Sequence, residues 1–402
     1  WLGQIVSQLG DRLGQMALIA FVYLRSPGST MDMAKILSFT IIPVFIIGPV
    51  AGVYVDRWDR RRTMYICDLL RAGLAFTIPF FLFYYKNIAP IYIIIFLIFS
   101  IGRFFVPAKL SIVPDLVEKK DLLIANSLVN ITGMLAAVLG FGISGILVEW
   151  VGPKSGFYLN ALSFLVSGML IFFIAKKFSA AAIDFKELSR EIVESIRKSV
   201  FQEIKEGILY FIKKKDIRLT ASIMFVLWSA LGAIYVVMIV FVQDILNSVT
   251  KDLGLLVMFL GAGLFIGSVL YGRFGQRLSH YKIIFFSLAL SGVILIIFTL
   301  TIIRYPYFLT AASLAFILGI SVAPIMIASN TIIHKASDSE MMGKVFSSLE
   351  IVMHLGFIMS MFLSSLLAER ISHTIILVSV GCIFSTVGVV NIIIKRKIPW
   401  LD

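Results

Sequence analysis

The stretch Gly52-Val53-Tyr54-Val55-Asp56-Arg57-Trp58-Asp59-Arg60-Arg61-Arg62 packs two acids and four arginines between two long apolar runs. So short a charged break fits a chain that leaves one face of a bilayer and promptly re-enters it. Working outward, the same alternation recurs along the whole sequence. A bilayer core about 30 Å thick takes roughly 20 apolar residues per helix, and about a dozen such stretches follow one another. They are predicted near 1–24, 35–55, 63–85, 88–109, 123–149, 153–175, 216–243, 251–272, 283–303, 305–333, 345–369 and 373–394. The 402 residues are 59% apolar and 15% charged, with mean hydropathy +0.98, whereas soluble domains carry about 25% charged residues. Lipid is therefore the solvent for most of the surface, and no stretch is left over for a separate soluble catalytic domain. The chain opens at Trp1 with no basic flank, so the first span is expected to lack its natural leader, and no signal peptide is visible.

The net charge of +13 would suit nucleic acid if it formed one patch, but it follows alternate loops. Loops after even-numbered spans hold Arg57, Arg60, Arg61 and Arg62; Lys109, Lys119 and Lys120; Arg273, Arg277 and Lys282; Lys335 and Lys344; and the tail Lys395, Arg396, Lys397. Loops after odd-numbered spans are poor in basic residues, so the positive-inside bias predicts a cytoplasmic N-terminus and C-terminus. A hydrophilic segment, 176–215, divides the chain into an N-terminal bundle of six spans (1–175) and a C-terminal bundle of six (216–402). Within it Ile192, Ile196, Val200, Ile204 and Ile208 recur every four residues, which predicts an amphipathic connector resting on lipid or on the bundle. Cys67 and Cys382 lie in different halves without metal-ligand spacing, so neither a disulfide, a metal site nor a cofactor is expected.

The order of glycine, acid and basic cluster in residues 52–62, set after the second span, resembles the signature loop of the major facilitator superfamily. Gly52 would allow close helix approach, Asp56 would cap a helix start, and Arg57, Arg60 and Arg61 would stay at the anionic inner face as a cytoplasmic gate. Asp59 stands where the family pattern has glycine. Phe105-Val106-Pro107-Ala108, Ile112-Val113-Pro114-Asp115-Leu116-Val117, Glu206-Gly207-Ile208-Leu209-Tyr210 and the opening Trp1 to Arg12 look like the macrolide-efflux and enterobactin-exporter branch. The resemblance implies an all-α membrane protein of twelve transmembrane helices in two pseudo-symmetric bundles, with a substrate site between related halves. In the second half, Gly267 to Arg273 echoes the signature loop with Tyr271 in place of the acid. Gly140-Phe141-Gly142-Ile143-Ser144-Gly145 resembles the glycine-rich motif of facilitator antiporters, with Phe141 where proline is expected. Gly140, Gly142 and Gly145 equally suit plain tight helix packing.

Ionisable groups inside hydrocarbon are costly, so each is a candidate for transport chemistry. Asp11 lies about 16 Å along the first span, near the middle of the bilayer. It reads either as a proton carrier or as a salt-bridge partner. Arg12 is its neighbour but points about 100° away, so Arg103 on the fourth span is the favoured partner. Asp68 and Arg71, one turn apart, read as part of the gate near the membrane surface. Glu350 and His354 share a face of the eleventh span and could relay protons, or Glu350 could snorkel to the cytoplasm while His354 packs. Gln15 and Asn330 offer hydrogen bonds to a substrate or between helices. The 34 phenylalanines and 15 methionines suit a bulky amphiphilic cargo as well as lipid-facing surface.

These readings converge on a monomeric secondary transporter of the bacterial inner membrane that exports a drug-like or siderophore-like molecule in exchange for protons or another cation. Lysophospholipid translocation and a non-transporting sensor are the alternatives. Enzymatic activity has no support, since no catalytic triad order, nucleotide loop or metal set emerges.

Overall fold

The computed structural model describes residues 2–48, 51, 55, 58–82, 88–173, 215–275, 279–336 and 342–395. Among the described residues there is no β-strand, and eleven α-helical elements follow one another. They are α1 (Leu2–Arg25), α2 (Thr30–Ile46), α3 (Arg60–Phe80), α4 (Ala89–Leu116), α5 (Leu122–Phe172), α6 (Lys215–Leu246), α7 (Lys251–Phe274), α8 (His280–Arg304), α9 (Phe308–Ala336), α10 (Met342–Ala368) and α11 (His373–Lys395). Gly152 breaks α5 into two arms with φ 79° and ψ 164°, a left-handed conformation that glycine alone adopts cheaply. Pro153 follows, and its missing N–H suits the restart of a helix. The two arms correspond to two predicted spans.

By length and composition, eight helices among the described residues, α4 to α11, can cross a membrane. Of α2, seventeen residues are described, while α1 carries Gln4, Gln8, Asp11, Arg12 and Gln15, and α3 carries Asp68 and Arg71. These polar groups lower the hydropathy of α1 and α3, and Asp11, Asp68 and Arg71 among them are directed at each other.

Asp59 starts α3. It sits in extended backbone (φ −63°, ψ 106°) and its carboxylate accepts the Arg62 backbone N–H at 2.9 Å, an N-cap of the ordinary kind. The sequence had given that role to Asp56, which lies outside the described residues together with Gly52 and Arg57. Arg60 ties the start of α3 to the end of α4, donating to the Ser111 carbonyl at 2.9 Å and pairing with Asp115 at 2.5 Å. The helix α4 runs on through Pro107 and Pro114 to Leu116, so Lys109 is a half-buried helical residue and not part of a loop.

Packing divides the chain into two units, Trp1–Val22 with Lys35–Glu203, and Tyr23–Ala34 with Ile204–Asp402. The end of α1 and the start of α2 thus belong to the second unit, where Thr30 Oγ1 donates to the Ser365 carbonyl at 3.1 Å. The connector predicted over 176–215 falls almost wholly outside the described residues.

In the first unit, α3 packs on α4 and α5. Gly3, Gly10, Gly14 and Ala17 line one face of α1 and meet Ser167, Ser163, Asn160 and Gly156 on the second arm of α5. Without a hydrophobic driving force in lipid, such small residues let helices gain van der Waals contact and interhelical hydrogen bonds. In the second unit α7 packs on α9, α8 on α11 and α6 on α10. There the approach is backbone to backbone: a Cβ on Gly263 would lie 2.1 Å from the Phe316 carbonyl oxygen, and one on Gly319 2.2 Å from that of Leu260.

Gly263→Ala is therefore expected to force α7 and α9 apart at a cost of about 1–3 kcal/mol, lowering the thermal unfolding midpoint in detergent. Gly73→Ala, whose new methyl meets nothing within 4 Å, should leave that midpoint unchanged or slightly raised.

A buried carboxylate pair sharing one arginine

Two helical spacings build the candidate site. Ser7 and Asp11 are four apart on α1, and Asp68 and Arg71 are three apart on α3, so each pair shares a face of its helix. The two faces meet. The Arg71 guanidinium pairs with Asp11 Oδ1 through one terminal nitrogen and with Asp68 Oδ1, at 3.2 Å, through the other. Asp68 Oδ1 also accepts from Ser7 Oγ at 3.2 Å, and Asp68 Oδ2 lies 2.5 Å from Ser167 Oγ on α5. Ser167 Oγ is in turn 2.8 Å from the Gly3 carbonyl. The guanidinium carbon stands 3.9 Å over the Phe164 ring and 6.0 Å from that of Phe105, a cation–π setting within a desolvated site. Exposure grades across the cluster: Asp68 is 0% and Arg71 4% accessible, while Asp11 keeps 33%.

This arrangement corrects one expectation. Asp11 is held by Arg71, the residue the sequence had placed with the gate, whereas Arg103 was the favoured partner. Arg71 and Asp68 are sealed inside the unit. Arg71 is about 16 Å into α3 by helical rise, and the face it shares with Asp68 turns onto the small-residue seam of α1. Ser7 was missed, although its spacing from Asp11 was legible. Ser167 and Phe164 carried no such signal, because only the return of the second arm of α5 brings them to the cluster.

Beside Asp11 lies a cavity of about 20 Å³ bordered by Gly14, Asn160 and Phe164, large enough for one water molecule. The buried Oδ1 of Asn160 has no hydrogen-bond partner among the described residues, which gives that space a polar wall.

Several other predicted residues make contacts of their own. Arg12 donates to Gln15 Oε1 at 2.9 Å and stacks 4.6 Å over Phe141. Its stem passes Gly140, where a Cβ would lie 3.0 Å from Arg12 Cγ, and Gly142 and Gly145 are buried nearby on the same arm. The Phe141 that departs from the antiporter-like pattern therefore serves as the ring for Arg12. Arg61 donates to the Phe172 carbonyl at 2.8 Å. Arg103 is half-buried on α4.

In the second unit, Glu350 is exposed on α10 and Asn330 exposed on α9. His354 donates Nδ1–H to the Glu350 carbonyl at 2.8 Å and lies against Trp228, ring centroids 4.9 Å apart. Tyr271, which replaces the acid of the signature loop, reaches His280 Nδ1 at 2.7 Å, and His280 Nε2 is 3.4 Å from Lys335 Nζ.

Removing Arg71 would strand two carboxylates in a desolvated site. Arg71→Leu is expected to destabilise the protein by about 3–5 kcal/mol, measured by thermal unfolding in detergent. Adding Asp11→Asn and Asp68→Asn to that variant should recover most of the loss. A triple variant no more stable than the single one would show that charge compensation is not what the cluster supplies.

The comparisons with known proteins agree with this architecture. The profile of the Major Facilitator Superfamily matches residues 1–249 and 219–399. The chain is 28% identical to the uncharacterized MFS-type transporter YkuC of Bacillus subtilis (strain 168), covering 85% of this chain and 78% of that protein. It is 26% identical to macrolide efflux protein A of Streptococcus pyogenes, covering 92% and 89%. Among solved structures, a bacterial homologue of the iron transporter ferroportin in its inward-facing state superposes with a TM-score of 0.70 at 14% identity, covering 96% of each chain, which speaks to the fold alone. This multi-pass membrane protein belongs to the Major Facilitator Superfamily of transporters and is related to its macrolide-efflux branch.

Proposed function

We propose that the protein exports a small amphiphilic molecule, drug-like or siderophore-like, across a bacterial inner membrane by alternating access, in exchange for protons taken up at the Asp11–Arg71–Asp68 cluster. The observation that carries this reading is that Asp68, wholly sealed, is compensated only through the Arg71 guanidinium that it shares with Asp11. Lys109 of α4 acts electrostatically on Asp11, the more accessible of the two acids. An uncompensated charge in a desolvated site is expensive, so a single proton has a defined place to bind and a reason to leave only when something replaces it.

Hydrogen-bond accounting points the same way. Ser167 has one O–H proton but stands within bonding distance of two acceptors, the Gly3 carbonyl and Asp68 Oδ2. A proton on Asp68 supplies the second bond. Asp11, one-third accessible and bordered by the water-sized cavity, is the port through which that proton arrives. Gain or loss of the proton changes whether Arg71 is held by two carboxylates or one. It thereby changes the grip between α1 and α3, which is the differential interaction that a coupled conformational step requires. The efflux direction follows the name of the macrolide-efflux relative. The alternation of basic loops supports a cytoplasmic location for both termini.

The test uses liposomes holding a pH-sensitive dye, with an imposed proton gradient and either a macrolide or a fluorescent amphiphilic cation as cargo. Wild type should show cargo-dependent proton flux. Asp11→Asn and Asp68→Asn should each abolish that flux while leaving the folded protein intact. Cargo movement indifferent to the gradient and to both substitutions would overturn proton coupling and leave the cluster a structural one.

A further inference from the structure

The helix that buries Asp68 and Arg71 on one face carries an open groove on another. Between α3 and the second arm of α5 lies a cavity of about 700 Å³, lined by Leu69, Ala72, Gly73, Phe76, Tyr158 and Leu162. Leu69, Phe76 and Leu162 are 43%, 62% and 53% accessible, and Gly73 floors the groove with open space where a side chain would stand. The rings of Phe76 and Tyr158, 5.3 Å apart, close one end. Toward the other end the same stripe of α3 continues through Ile66, 45% accessible, to Arg62. Arg62 lies seven residues before Leu69, hence on the same face and about 10 Å away. Its side chain is 59% accessible and its ion pair with Asp59 is long, at 3.8 Å. Beside it Arg61 is anchored to the Phe172 carbonyl and is half-buried.

An apolar trough ending in two guanidinium groups is complementary to an amphiphile with a hydrocarbon tail and an anionic head. In a membrane-spanning unit the abundant molecule of that description is an anionic phospholipid. We infer that the groove between α3 and α5 binds one acyl chain of an anionic phospholipid whose phosphate is held by Arg62 and Arg61. The tail lies along Leu69, Gly73 and Phe76, and the phosphate meets the exposed side chain of Arg62 with the accessible part of Arg61 beside it. Because the groove shares α3 with the carboxylate cluster, a lipid seated there braces the outer face of the helix whose inner face holds Arg71.

The full-length protein in nanodiscs of equal phosphatidylglycerol and phosphatidylcholine tests this, with native mass spectrometry reading the lipids that stay bound. Phosphatidylglycerol should be retained in preference. Arg62→Gln, which keeps the backbone N–H that Asp59 caps, should lower that preference about fivefold. Gly73→Phe should empty the groove of lipid of either headgroup while the thermal midpoint holds. Equal retention of the two lipids, or retention untouched by both variants, would overturn the inference. So would a Gly73→Phe protein that loses a dimer and not a lipid, which assigns the groove to a second copy of the chain.

Discussion

Arg71 holds one positive charge against two carboxylates, one of them wholly sealed, and the first unit is arranged around making that tolerable. Asp68 Oδ1 accepts from Ser7 and Arg71, and Oδ2 lies 2.5 Å from Ser167 Oγ. Phe164 covers one face of the guanidinium. A buried ion pair by itself is weak evidence for stability, because desolvation offsets most of the attraction. The proposed proton exchange would give these three ionisable groups a role that packing alone does not require.

The small-residue seam is what lets the cluster form. Gly3, Gly10 and Gly14 bring α1 against Ser167, Ser163 and Asn160 so closely that added methyls would meet them at 3.5 Å or less. Only at that separation can Ser7 and Asp11 on α1 reach across to groups on α3. The bend at Gly152 matters equally, since it returns the second arm of α5 past α1 and delivers Ser167, Phe164 and Asn160 to one place. The site is thus assembled from three elements distant in sequence, with Asp68 and Ser167 ninety-nine positions apart.

The arginine-rich loop has a divided role. Arg60 is committed to Asp115 and the end of α4, and Asp59 to capping α3. Arg62 is left largely exposed and Arg61 partly so, which suits contact with the lipid surface that such loops face. The departure from the family pattern at Asp59 therefore has a local reason: an acid there begins the helix on which both the carboxylate cluster and the lipid groove depend.

The sequence by itself determined the membrane character, the helical class and the family likeness, and it singled out Asp11 as an ionisable group within an apolar run. Hydropathy is additive along the chain, and a charge in a lipid-length run stands out wherever it falls. It also showed that Arg12 could not face Asp11, because helical azimuth between neighbours is a matter of geometry alone. What it could not decide was which distant arginine would meet Asp11. Arg103 and Arg71 are both charges within apolar runs, and choosing between them requires knowing how each helix is rotated against the others. That rotation is set by the fit of small residues across α1, α3 and α5, an interaction between surfaces that no local window contains. The same holds for Asp59 as the cap of α3, where the register of the first helical turn decided, and for Gly152, whose left-handed backbone became necessary only once two arms had to pack side by side.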